Sequence, residues 1–197
     1  MERILSKAEI ARAARFGRPE LRDRYVVGRA TLRSILGHLL GIDAASVPIV
    51  RGRRGRPTIE GAALDFNVSH TRGTAVFAIS REARIGVDVE HGERELNVEG
   101  IARKFMSPGE QAMLERLAGD ARRRALLRLW TCKEAMSKAT GDALAAPFRR
   151  LDVALEPALA LRAGPSPYDA SRWRLLPVDI HGGYLATVAL WHARPSP

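Results

Sequence analysis

Two periodicities divide the chain. Over residues 20–40, Tyr25, Leu32, Leu36 and Leu39 recur at helical spacing, and Gly41 follows where such a helix would stop. A shorter helix is expected over 3–16, ended by Gly17 and Pro19. Further on the period changes to two. Leu64, Phe66 and Val68 alternate with Asp65, Asn67 and Ser69, Thr71-Arg72-Gly73 makes a turn, and 74–80 returns as the second strand of a β-hairpin. Residues 84–90 read as another strand, with Ile85, Val87 and Val89 on one face and Gly86, Asp88 and Glu90 on the other. A charged loop is expected over 91–100. Ser107-Pro108-Gly109-Glu110 has a capping serine, a proline in the first position and a glutamate three residues after the cap, which predicts a helix start. That helix should stop near Gly119, and a longer one, capped by Asp120, should run to Thr140-Gly141. Segments 149–155, 159–162, 173–179 and 184–191 read as strands, with a turn at His181-Gly182-Gly183, and 193–197 as a frayed tail. Each half gives helix first and hairpin later, so the expected class is α+β, with a weak repeat of architecture and no clear repeat of sequence.

Composition narrows this picture. The chain has 197 residues, enough for one domain or two small packed halves, and 46% hydrophobic content suits a globular protein. No apolar run approaches the roughly 18 residues that span a bilayer, and the first ten residues are of mixed charge, so neither a membrane protein nor a secreted one is expected. The lone Cys132 excludes an internal disulfide and a cysteine metal cluster, and the five histidines lack ligand spacing. A cytoplasmic protein is the simplest expectation. The net charge of +10 is front-loaded: residues 1–60 hold 13 Lys+Arg against 6 Asp+Glu, the remainder 19 against 16. Such a surplus suits a polyanionic partner, whether nucleic acid, a phosphorylated small molecule, an acidic protein or a membrane surface. A GC-rich genome also enriches Arg, so the charge does not choose among them.

The candidate chemistry sits on the strand at 84–90 and the helix that ends at Thr140. Asp88 and Glu90 emerge side by side from one strand face, and like charges so close need a cation, a shared proton or full solvation. Mg²⁺ is the usual occupant, because it prefers carboxylate oxygens. The plain alternative is a half-exposed edge strand with two solvated acids. On the helix, Trp130, Glu134 and Lys138 fall at i, i+4 and i+8. Either Glu134 is a third carboxylate and Lys138 an ammonium for a phosphate, or the two are a surface pair on a helix anchored by its tryptophan. Arg22, Arg29 and Arg33 make a basic stripe beside the apolar face of the 20–40 helix, fit for a phosphate or for solvent. The loop Arg51-Gly52-Arg53-Arg54-Gly55-Arg56-Pro57 is basic and Gly-rich, with no helix start after it, so it is no Walker-type loop. Ser69-His70 is not half of a hydrolase triad, since adjacent strand residues face opposite ways and no third member is evident.

Taken in order, Gly55-Arg56-Pro57, Phe66-Asn67-Val68-Ser69-His70, Gly86-Val87-Asp88-Val89-Glu90, Phe105-x-Ser107-x-x-Glu110 and Trp130-x-x-Lys133-Glu134-x-x-x-Lys138 resemble the Sfp-type 4′-phosphopantetheinyl transferase family over about residues 12–155. The resemblance implies an α+β fold of two similar, pseudo-twofold lobes, 1–83 and 84–197, with the active site between them. It implies Mg²⁺-dependent transfer of 4′-phosphopantetheine from coenzyme A to a serine of an apo acyl- or peptidyl-carrier protein, releasing adenosine 3′,5′-bisphosphate. By that pattern Asp88, Glu90 and Glu134 are the metal ligands, and Glu134 or a metal-bound water is the candidate base. Lys138 and His70 would hold phosphates with Ser69 nearby, Arg56-Pro57 would lie by the adenine, and Arg29 with Arg12 or Arg15 would meet the 3′-phosphate. The family commonly has lysine where Arg56 stands, which keeps the charge and changes the shape. The segment 15–24 is also a few residues shorter than usual.

Two rivals use parts of the same pattern. A Mg²⁺-dependent phosphohydrolase of a coenzyme-A-like nucleotide would keep the acids and bases and replace the carrier serine by water. A nucleic-acid-binding module would explain the front-loaded arginines, but it has no use for three carboxylates and lacks an aromatic stacking row. The expectation is therefore a monomeric transferase with no nucleic acid and no membrane as partner. Residues 91–114 are the expected dock for an acidic carrier.

Overall fold

The protein is described by a computed structural model over residues 1–52, 54–61 and 63–192. Arg53 of the basic loop and the expected tail 193–197 lie outside the described residues. The chain forms two compact units, Met1–Val50 with Ile59–Gly61, and Arg51–Thr58 with the remainder. Both helices and sheets are present, so the class is α+β.

In the first unit, α1 (Lys7–Ala13) starts at Ser6, whose Oγ accepts the Glu9 N–H at 3.2 Å while Glu9 Oε2 accepts the Ser6 N–H at 2.8 Å. That reciprocal cap explains why the helix expected over 3–16 is shorter. Serine competes with a helix from inside it and starts one well, leaving only a 3₁₀ turn at Glu2–Ile4 before it. α2 (Pro19–Leu40) opens on a proline, whose missing N–H would have no partner there, and closes at Gly41 with φ +69°. Leu5, Ala13, Val26 and Ala30 form its small core beside Tyr25, and Leu36 is fully buried.

Glu9 also organises the arginine stripe. Its carboxylate, 6% exposed, accepts Arg29 Nε at 2.8 Å and Arg33 Nε at 2.6 Å. Arg33 then donates Nη1 to the carbonyls of Ala44, Ala45 and Val47 at 3.1, 3.2 and 3.1 Å, tying down the 3₁₀ turn Ala44–Ser46. Burial pushes the Glu9 carboxyl up, but hydrogen bonds from Ser6, Arg33 and Arg29 outweigh it and hold it below the usual range. Arg33 is thus an interior tie and not a surface cation, and Arg22 pairs with Glu2.

β1 (Ile49–Arg51) and β2 (Pro57–Ile59) are where the chain leaves the first unit and returns to it. The second unit holds the expected hairpin, β3 (Asp65–Thr71) and β4 (Thr74–Ser80), in register from Asp65 opposite Ser80 to Thr71 opposite Thr74. β5 (Arg84–His91) follows. The charged loop expected over 91–100 ends at Asn97, and an unexpected helix, α3 (Val98–Phe105), follows it, started by Asn97, whose Oδ1 accepts the Gly100 N–H at 2.8 Å. α4 (Pro108–Glu115) begins at Ser107 with the expected capping box. α5 (Gly119–Thr140) begins at Ala118 without a side-chain cap. Asp120 does not cap it; it lies in the first turn, where a carboxylate favours the helix dipole, and pairs with Arg123 at 3.2 Å. The strand expected over 149–155 is a 3₁₀ turn, Phe148–Arg150, and then β6 (Asp152–Ala154), which pairs with β7 (Ala160–Ala163). β8 (Trp173–Ile180) and β9 (Tyr184–Trp191) complete an antiparallel sheet in the order β5-β9-β8.

α5 lies across that sheet, its inner face built by Leu129, Cys132 and Met136, each fully buried. Trp130 anchors it edge-on against Phe105, with ring centroids 5.1 Å apart. Lys133 has no exposed surface. Its Nζ meets Glu110 Oε2 at 2.7 Å and the carbonyls of Phe105, Phe148 and Leu151 at 3.1, 2.6 and 2.8 Å. Lys133 and Glu110 therefore belong to the packing of α3, α4 and α5.

Candidate active site

β5 gives one edge to β9, and side chains clad the other. Asp65, Asn67 and Ser69 alternate along β3, and each accepts a backbone N–H of β5. The Ile85 N–H reaches Asp65 Oδ2 at 2.7 Å, the Val87 N–H Asn67 Oδ1 at 3.0 Å, and the Val89 N–H Ser69 Oγ at 3.3 Å. The carbonyls on that edge are met by long cations. Ile85 O accepts Arg56 Nη2 at 2.7 Å and Val87 O accepts Lys138 Nζ at 3.1 Å. Buried backbone groups must be paired, and here polar side chains two residues apart do the work of a neighbouring strand. β5 is accordingly buried on both faces rather than half-exposed.

One face carries Ile85 and Val87 against Ala78. The other meets α5 at Gly86, where a Cβ would fall 1.9 Å from the carbonyl oxygen of Ala135 and 2.7 Å from the amide nitrogen of Ala139. Only glycine permits that approach, and the approach brings Glu134 and Lys138 to Asp88 and Glu90. Lys138 Nζ lies 2.6 Å from Asp88 Oδ1 and 2.9 Å from Ser69 Oγ, and Ser69 Oγ lies 3.0 Å from the same Asp88 oxygen. Asp88 Oδ2 is buried without a hydrogen-bond partner, as is Glu134 Oε1. Glu90 is paired with Arg94, four residues on.

The carboxylates feel one another. Burial, then Asp88, and to a lesser degree Glu90 push the Glu134 carboxyl above the usual range, against the pull of Lys138. Burial likewise raises Glu90, with Arg94 opposing and Asp88 adding to the rise. Among the described residues no three acidic, histidine or cysteine side chains already converge as a metal cage. The chemistry still fits a hard divalent cation. The donor set is all carboxylate, two of its buried oxygens lack a partner, and their repulsion is of the kind a cation relieves.

Arg56 is 7% exposed and committed inward, bidentate to Asp65 at 2.7 and 2.6 Å and donating Nε to the Lys138 carbonyl at 2.9 Å. Pro57 starts β2. His70 is exposed and next in sequence to Ser69, which is buried toward Asp88. Arg12 is exposed, its guanidinium 5.6 Å from the Tyr25 ring centre; Arg15 is exposed too. The structure thus brings Ser69, Asp88 and Lys138 into contact and sets Glu134 and Glu90 within their field. Asn67, Asp65 and Arg94 had no assigned role in the sequence reading. A matched period of two, 20 residues apart at 65/67/69 and 85/87/89, is the signal for the first two. Cys132 is buried and its thiol pushed up to about 12, chiefly by desolvation, so it supplies no nucleophile. No helix among the described residues is long and apolar enough to cross a membrane.

Comparison with known proteins places these residues in context. Residues 84–189 match the model of the 4′-phosphopantetheinyl transferase superfamily, and residues 1–82 that of the 4′-phosphopantetheinyl transferase N-terminal domain. The chain is 35% identical over 190 residues to the 4′-phosphopantetheinyl transferase HetI of Nostoc sp., covering 94% of this chain and 78% of the relative. It is 30% identical over 175 residues to the 4′-phosphopantetheinyl transferase slr0495 of Synechocystis sp., named only provisionally, covering 87% and 71%. Among solved structures it is similar to the holo-[acyl-carrier-protein] synthase of Thermotoga maritima, with a TM-score of 0.45, 19% identity, and 57% and 64% of the two chains covered.

Proposed function

The chain belongs to the 4′-phosphopantetheinyl transferase superfamily and has phosphopantetheinyl transferase activity; from that premise we propose that it moves 4′-phosphopantetheine from coenzyme A to a serine of an apo acyl- or peptidyl-carrier protein, with Mg²⁺, releasing adenosine 3′,5′-bisphosphate. The observation that supports the metal-dependent reading best is the division of Asp88. One oxygen takes two donors, and the other is buried and bare beside a glutamate whose own buried oxygen is bare.

Asp88, Glu90 and Glu134 are the proposed metal ligands. Bound there, Mg²⁺ would neutralise charge on the pyrophosphate. Glu134, its carboxyl raised, is the proposed acceptor of the proton from the carrier serine, since a hydroxyl becomes a useful nucleophile only with a base in reach. Lys138 is proposed to face the same phosphates, with His70 as a second cation for them. Arg56-Pro57 is assigned to the adenine end through the loop that Arg56 fixes, and Arg29, with Arg12 or Arg15, to the 3′-phosphate. These roles rest on the family pattern. Two similar lobes, a monomeric state, a cytoplasmic location and carrier docking around 91–114 belong to the same proposal.

The test is incubation with coenzyme A, Mg²⁺ and a panel of apo carriers, read by intact mass. Gain of one phosphopantetheine on a carrier supports the reading. Release of free phosphopantetheine without a carrier supports the phosphohydrolase instead.

A further inference from the structure

The basic loop that ends at Arg56-Pro57 closes on itself and then rests on the end of α5. Within it the Gly52 N–H donates to the Arg56 carbonyl at 2.9 Å, the Gly55 N–H to the Gly52 carbonyl at 2.8 Å, and Arg51 Nη1 to the Gly55 carbonyl at 3.1 Å. Two of its arginines reach the helix end. Arg56 Nε meets the Lys138 carbonyl at 2.9 Å, and Arg54 pairs with Asp142, just past α5. Gly141 lies between these contacts, and a Cβ there would fall 3.6 and 3.7 Å from the Cβ atoms of Arg56 and Arg54.

The Asp142 carboxylate is held from the protein side. Its backbone N–H donates to the Ser137 carbonyl at 3.0 Å, Oδ2 accepts the Tyr168 hydroxyl at 2.7 Å, and Oδ1 meets Arg54. Tyr168 is 1% exposed, its ring stacked on Trp173 with centroids 5.4 Å apart and its oxygen 2.9 Å from Thr140 Oγ1. The Arg54 side chain, by contrast, is 65% exposed. An exposed ion pair is ordinarily worth little, because two flexible side chains must be ordered to make it. Here a buried ring has already ordered one partner, so Arg54 alone gives up freedom.

We infer that Asp142 and Tyr168 are positioning residues that latch the basic loop to the end of α5 and touch no substrate. Tyr168 fixes the carboxylate, the carboxylate fixes Arg54, and the loop that carries Arg56-Pro57 takes one position. The consequence for binding rests on the reading above that this loop serves the adenine end; the latch itself does not.

Exchange of the Gly52 and Gly55 amides is followed by NMR for wild type, Tyr168→Phe, Asp142→Asn and Arg54→Ala, and adenosine 3′,5′-bisphosphate is titrated into each by calorimetry. Both amides should exchange about 3- to 10-fold faster in all three variants, the worth of one hydrogen bond lost from a local opening. Tyr168→Phe keeps the ring on Trp173, and Arg54→Ala changes only an exposed side chain, so each separates the latch from the core. Affinity for adenosine 3′,5′-bisphosphate should fall by a similar factor, and KM for coenzyme A should rise with kcat unchanged. Arg54→Ala combined with Asp142→Asn should be no worse than either alone, since one contact is lost once. Additive losses of affinity would make Arg54 a ligand contact and overturn the inference. Unchanged amide exchange in the single variants would overturn it as well. Faster exchange with unchanged affinity would support the latch and overturn the assignment of the loop to the adenine end.

Discussion

Gly86 touches the backbone of α5 at Ala135: a Cβ there would sit 1.9 Å from the Ala135 carbonyl oxygen. The obstacle is main chain on both sides, so no side-chain rotation relieves it. Gly86→Ala should therefore cost at least about 1–3 kcal/mol, the range for overpacking, and should cost activity disproportionately, because Glu134 and Lys138 ride on the displaced helix. Urea unfolding and turnover on the same preparation check this. A Gly86→Ala protein of wild-type stability and rate would mean that α5 does not pack here as described.

Lys133 and Lys138 stand five residues apart on α5 and should fail differently. Lys133 is wholly buried with Glu110, and removing one member of a buried pair costs about 3–5 kcal/mol. Lys138 has 27% of its side chain exposed beside Asp88. Lys133→Met is expected to lower the unfolding midpoint strongly, and Lys138→Met to lower turnover strongly with a much smaller stability loss. Equal stability losses would contradict this division.

Glu9 sets the acid sensitivity of the first unit. Its carboxyl is held below the usual range, so its ionised form stabilises the fold above the ordinary glutamate range, and that stabilisation is lost as pH falls through the lowered value. Glu9→Gln should thus be destabilised at neutral pH, and its deficit against wild type should shrink toward strongly acid pH. Melting temperature against pH for both proteins checks the sign. A deficit independent of pH would show that Glu9 acts only through shape.

How much of this was legible in the sequence depends on the range of each interaction. The capping boxes at Ser6 and Ser107 are local, and Ser107 to Glu110 could be read directly. So could the hairpin at 65–80, the i, i+2 pair of Asp88 and Glu90, and the Trp130/Glu134/Lys138 stripe, because each follows from one period. α3 was missed because its charged sequence hides the Asn97 start. The destinations of Arg33 and Arg56 were not readable. A guanidinium that pairs with a phosphate and one that pairs with a buried carboxylate and carbonyls look alike until the chain is folded, and Glu9 and Asp65 are those carboxylates here. The cladding of β5 by Asp65, Asn67 and Ser69 needed the register of strands 20 residues apart.

Glu134, its buried Oε1 unpartnered and its carboxyl raised by burial and by Asp88, is expected to serve carrier modification and not merely the helix surface. The most direct measurement is the rate at which Glu134→Gln modifies an apo carrier with coenzyme A and Mg²⁺, read by intact mass, beside its coenzyme A affinity by calorimetry. The substitution keeps shape and removes charge and basicity. The rate should fall by at least about 10²–10⁴, the usual cost of a lost general base, with coenzyme A affinity within about tenfold of wild type. A Glu134→Gln protein that modifies carrier at close to the wild-type rate would contradict the account at its centre.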